Sequence, residues 1–188
     1  IYGGVHPDGL NDRRPEGWFS TLEWFPDVQG WTAVDLTEAD PFWHVSTFNA
    51  SNLDTGVPNH AMFCGVEAGT SGYDEAPGYG NNWNDWLDWI TPTNPTVNTQ
   101  VRLTFDYNLD TEEGYDFCLV QYDSAGVMKT MASLTGTTRD GEGNWTTPGH
   151  FDTTITFTPL MYSGNPRYNV HLRLRVVSDS GWSDQDGL

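Results

Sequence analysis

Basic residues are scarce in this chain. Eight arginines and lysines stand against 26 aspartates and glutamates, for a formal net charge of −18, and Lys129 is the sole lysine. Such a surface repels nucleic acid phosphates and anionic lipid headgroups, which sets both aside as partners. Long apolar runs are missing too, so membrane insertion is not expected. There are two cysteines, Cys64 and Cys118. They allow one disulfide or two buried thiols, and the sequence leaves both readings open. No metal-type Cys/His spacing occurs, and the HExxH, GxSxG and phosphate-loop signatures are absent. The chain opens at Ile1 and reads as a piece processed or excerpted from something longer.

What is present is aromatic. Only 37% of the residues are hydrophobic, but 14% are Phe, Trp or Tyr, so the apolar area is concentrated in large rings. That favours a folded core over disorder despite 20 glycines and 11 prolines. A length of 188 residues makes one domain the default. Among the acids Asp outnumbers Glu by 18 to 8, and Asp belongs in turns and is a common ligand of hard cations.

Alternation predicts strands. In 101–107, VRLTFDY, Val101, Leu103, Phe105 and Tyr107 share one face, and Arg102, Thr104 and Asp106 the other. In 168–177, YNVHLRLRVV, Val170, Leu172, Leu174 and Val176 oppose His171, Arg173 and Arg175. Segment 115–122 reads as a central strand, 152–158 as a shorter one, and 31–35 and 60–67 add two more. Turn-rich stretches at 70–80, 108–114, 136–149 and 163–166 separate them. Helix signals are few. The expected fold is all-β, an antiparallel β-sandwich or jelly roll over residues 31–188, with 1–30 as an irregular segment or linker.

The stretch GYGNNWNDWLDW, 78–89, raises a separate question. Its spacing of Trp83, Trp86 and Trp89 fits one side of a short helical turn. As a strand it would split them, with Trp83 and Trp89 on one face and Trp86 on the other. Exposed indoles here would stack sugar rings; buried ones would seal the sandwich with their N–H groups bonded to carbonyls.

Five stretches in order, DPFWHVSTFNA, AMFCGVEAG, GYGNNWNDWL, VRLTFDYNLDTEEGYDFCLVQYDSAG and LRVVSDSGWSDQDG, resemble the jelly-roll modules of secreted bacterial proteins. The likeness is to the accessory domain of immune-inhibitor-A-type metallopeptidases and, more distantly, to MAM-like sandwiches. It implies a non-catalytic extracellular module attached to an enzyme or surface protein. It also implies calcium near the acidic turn before YDF, which falls here on Glu112, Glu113 and Asp116. The family pattern continues past the end of this chain, so a missing final strand and a pairing-competent sheet edge are expected.

Asp179, Asp184 and Asp186, followed by Gly187, form a second acidic group whose short spacing lets carboxylates converge on a hard cation. The plainer reading of both groups is a solvated acidic loop. No carboxylate pair stands out for acid–base work, and both cysteines lie in apolar stretches that favour inert sulfur. The functional expectation is a secreted or cell-surface, calcium-supported module binding glycan or a cell-surface protein. Tyr79, Trp83, Trp86 and Trp89 would stack sugars, and Asn81, Asn82 and Asp85 would supply polar contacts. The alternatives are a self-assembling structural subunit, or the accessory part of a hydrolase whose active site lies elsewhere in its parent chain.

Overall fold

The computed structural model describes residues 31–35, 43–47, 61–65, 78–93, 96–145, 147–162 and 169–181. The expectations for residues 1–30, and for Asp184 and Asp186, lie outside these. Among the described residues there is no α-helix. Nine strands run in order: β1 (Trp31–Asp35), β2 (Trp43–Ser46), β3 (Ala61–Cys64), β4 (Asn84–Pro92), β5 (Thr99–Tyr107), β6 (Phe117–Ser124), β7 (Val127–Leu134), β8 (Gly149–Phe157) and β9 (Asn169–Val177). One 3₁₀ turn, Pro159–Tyr162, follows β8.

A five-stranded sheet, in the order β1-β4-β9-β6-β7, forms one layer. Two ribbons, β2-β3 and β5-β8, complete the fold, and every strand pairing is antiparallel. The β6–β7 hairpin turns through two residues with positive φ, Ala125 at 57° and Gly126 at 81°. That is the mirror-image turn whose twist matches a right-handed ribbon, and the Asp123 carboxylate accepts the Gly126 N–H at 2.9 Å to hold it.

The alternation in β9 has the consequence foreseen from its sequence. Val170, Leu172 and Val176 are buried at 1–3% exposure, whereas His171, Arg173 and Arg175 project from the opposite face. Two clusters fill the space between layers. One gathers Trp43 and Cys64 of the β2-β3 ribbon with Trp83, Leu87, Leu109, Cys118 and Val176. The other joins Ile155 and Phe157 of β8 to Tyr162, Val170 and Leu172, with Trp89 and Tyr122 at its margin. The result is an antiparallel β-sandwich. Cys64 and Cys118 are both thiols, without a disulfide, and both are buried within the first cluster, which closes the question their spacing left open.

The tryptophan stretch is a strand, so the helical-turn option is set aside. Its long neighbour β9 pairs with it from Asn84↔Val177 to Pro92↔Asn169, which forces a period of two on the whole run.

Candidate functional site

The period of two divides the candidate ligand residues. Tyr79, Trp83 and Asp85 are at most 2% exposed, so their side chains belong to the interior and offer no stacking surface. Trp89 points the same way and meets Trp31 at 6.5 Å between ring centres. Asn82 is exposed, with φ of 61°, at the turn that launches β4, and Asn81 beside it is half-buried. Trp86 alone of the three tryptophans lies on the outer face, where it is half-buried.

Around Trp86 the outer face is built in rows. One row runs Val34, Trp86, Arg175, Leu119 across β1, β4, β9 and β6. The next runs Thr32, Asp88, Arg173, Gln121, Thr130 and ends on β7. Cross-strand neighbours in a row are close enough for side chains to bond, and here they do. Arg173 donates from Nε and Nη2 to the two oxygens of Asp88 at 2.6 and 2.8 Å. His171 Nε2 stands 3.1 Å from the same carboxylate. Gln121 donates to Thr130 Oγ1 at 3.0 Å, and Arg175 Nε to Asn84 Oδ1 at 2.8 Å. The Arg173 guanidinium also lies over the Trp86 ring, 4.0 Å from its centre. These groups fix one another, so the face is organised before any ligand arrives.

Asp88 is not arranged as a catalytic acid or base. Burial would raise its pKa, but the hydrogen bonds and charges of Arg173 and His171 outweigh that and hold it below the ordinary carboxylate range. An ionised, doubly bonded carboxylate at neutral pH serves as a fixed acceptor.

The acidic residues converge elsewhere. Glu112, Asp116 and Asp179 each bring one carboxylate oxygen within 4.8 Å of the other two. Three turns meet there. Tyr79 donates its hydroxyl to Asp116 at 2.6 Å and accepts the Glu112 N–H at 3.1 Å. The Asp179 N–H donates to the other Asp116 oxygen at 2.9 Å, and the Asn82 N–H donates to the Asp179 carbonyl at 2.6 Å. Ser178 ties the same turns by donating to the Gly80 carbonyl and accepting the Trp83 N–H. Asp116 is 1% exposed, Asp179 is exposed and Glu112 lies between. Glu113 is exposed and its side chain faces Gly136 instead of joining the group. The two acidic groups of the sequence therefore contribute to one cluster, with Glu112 and Asp116 from the first and Asp179 from the second.

Sequence reasoning named Trp86 but not its partners. Asp88, Arg173, Arg175 and Gln121 are all visible as the polar half of an alternating strand, the half ordinarily assigned to solvent. Their pairing across three strands follows from the sheet order, which the sequence does not state.

The fold and this face define an antiparallel β-sandwich with a polar, tryptophan-bearing sheet surface. No protein-family model matches the chain, and no curated protein matches it. Among solved structures, that of TmCBM61 in complex with β-1,4-galactotriose is similar to it, with a TM-score of 0.46 and 12% identity over 87% of this chain and 90% of that one. No helix among the described residues is long and apolar enough to cross a membrane.

Proposed function

We propose that this chain is an extracellular, non-catalytic module that binds glycan across the outer face of its five-stranded sheet, braced by calcium at Glu112, Asp116 and Asp179. The observation that carries the reading is the placement of Trp86 beside the Asp88–Arg173 pair. Sugars present apolar C–H faces and a rim of hydroxyls. They need an aromatic surface next to side chains that donate and accept in fixed directions. Trp86 supplies the ring, while Arg173 and Arg175 donate and Asp88 and Asn84 accept, each already oriented by a neighbour.

The test is titration of an oligosaccharide panel, followed by tryptophan fluorescence and calorimetry. Trp86→Ala is expected to weaken binding roughly thirtyfold, the usual cost of truncating a central aromatic anchor. Trp86→Phe, which keeps a ring, recovers part of it, and circular dichroism checks the fold of both. Binding that survives Trp86→Ala unchanged, or a panel without a single ligand, would overturn the reading.

The calcium part rests on donor chemistry. Three carboxylate oxygens within 4.8 Å repel one another, and they are hard ligands of the kind calcium prefers. A bound ion would join the turns at 78–83, 108–116 and 178–181. Added calcium is expected to raise the melting temperature and a chelator to lower it. Asp179→Asn, an exposed substitution, should remove the response. A melting temperature indifferent to calcium at low salt would eliminate the brace without touching the glycan face.

A further inference from the structure

Most arginines among the described residues are matched to acids. Arg102 is paired with Asp152, Arg139 with Asp110 and Arg173 with Asp88. Arg175 is the exception: among the described residues no carboxylate pairs with it, although the chain carries 26 acids. Its Nε is taken by a neutral acceptor, Asn84 Oδ1, at 2.8 Å. Partial burial and the neighbouring Arg173 charge both lower its pKa, so its cation is left undercompensated in the free protein. A solvated lysine such as Lys129, which is exposed, carries no such cost. A half-buried arginine with a cation for its neighbour does.

We propose that Arg175 receives a carboxylate borne by the glycan, so that the face prefers a uronic-acid-type sugar to its neutral counterpart. The inference rests on the glycan reading of this same face. In register Arg175 stands directly opposite Trp86, and its guanidinium carbon lies 5.9 Å from that ring's centre. A pyranose resting against the indole with its exocyclic carbon on the Arg175 side brings a carboxylate at that carbon to the guanidinium. With Nε bonded to Asn84, the two terminal nitrogens remain for the planar, forked contact that carboxylates accept. Phosphate-rich polymers suit the face poorly, because a net charge of −18 repels a dense polyanion at long range. One carboxylate on an otherwise neutral glycan gains the local contact with little of that repulsion.

The test uses matched oligosaccharides that differ only in a carboxylate or a hydroxymethyl group at one sugar. The carboxylate form is expected to bind the native chain roughly tenfold or more tightly, as a charge-assisted contact would give. The preference should shrink as salt is raised. Arg175→Gln keeps a neutral donor; it should weaken both forms but abolish the preference, the carboxylate form losing roughly tenfold more affinity than the neutral one. Equal binding of the two forms, or a preference that persists in Arg175→Gln, would overturn the inference. Trp86-dependent binding of neutral glycans with no preference defeats this inference alone. Absence of binding by either form defeats the functional reading beneath it.

Discussion

Asp88 on β4 and Arg173 on β9 stand directly opposite one another and are joined by two parallel hydrogen bonds, 2.6 and 2.8 Å long. Asp88 is 8% exposed, so its charge has little access to water and depends on Arg173 and His171. Removing one partner of such a pair strands the other. Asp88→Asn is expected to cost about 3 kcal/mol at neutral pH. The pair also sets an acid limit. The folded-state pKa of Asp88 lies below its ordinary value. Its stabilisation is thus complete above the unfolded value, about 4, and disappears as the pH falls through the lowered folded value. Melting temperatures measured from neutral pH downward should fall more steeply below about pH 4 in the native chain than in Asp88→Asn. Parallel curves would show that the acid limit lies elsewhere. Asp152, whose partner Arg102 is exposed, serves as the contrast: Asp152→Asn should leave the melting curve at neutral pH nearly where it was.

The two cysteines make a second, independent check on the core. Burial pushes the Cys118 thiol up to about 12, against a smaller opposing effect from a backbone hydrogen bond of Arg175. Thiolate, the reactive form, is therefore nearly absent at neutral pH, and the sulfur is out of reach of reagents as well. Cys64 is 0% exposed in the same cluster. Both thiols are expected to resist alkylation in the folded protein. Both should react in denaturant without a reductant, giving two free thiols per chain. A mass consistent with a disulfide, or rapid labelling of the native state, would contradict the packing of the first cluster.

How much of this was legible beforehand depends on what each segment's partner had to supply. β5 and β9 announce themselves, because a strand with one face in the core writes its burial as alternation. β4 does not, since Asp85 and Asp88 look like surface residues on either periodicity. Asp85 in fact lies inward and Asp88 is shielded by Arg173. β7 carries no clean alternation, because it is a sheet edge with exposed Val127, Lys129 and Thr130, and its pattern is set by one neighbour only. The acidic cluster was half legible. Both groups could be seen as acid-rich turns, but Asp116 and Asp179 lie 63 residues apart, and their meeting follows from the pairing of β6 with β9. The outer face was least legible, because its chemistry consists of pairings between strands far apart in the chain.

Gly149 and Tyr107 test how tightly the β5–β8 ribbon is packed. The two are register partners at one end of the ribbon. The Tyr107 ring lies across the glycine, so that a methyl group built on Gly149 would fall inside the ring's van der Waals envelope at three of its carbons. Tyr107 in turn packs against the first core cluster, so the ring cannot swing away without opening that cluster. Glycine is kept here for lack of a side chain, and its backbone needs no left-handed conformation. Gly149→Ala is therefore expected to destabilise by about 1–3 kcal/mol, the usual cost of overpacking. That penalty belongs to the pair. In a Tyr107→Ala background, where the methyl has room, the same substitution should cost almost nothing, and the double-mutant cycle in denaturant melts should return most of the loss as coupling. Additive losses would mean that the ring does not cover the glycine in solution.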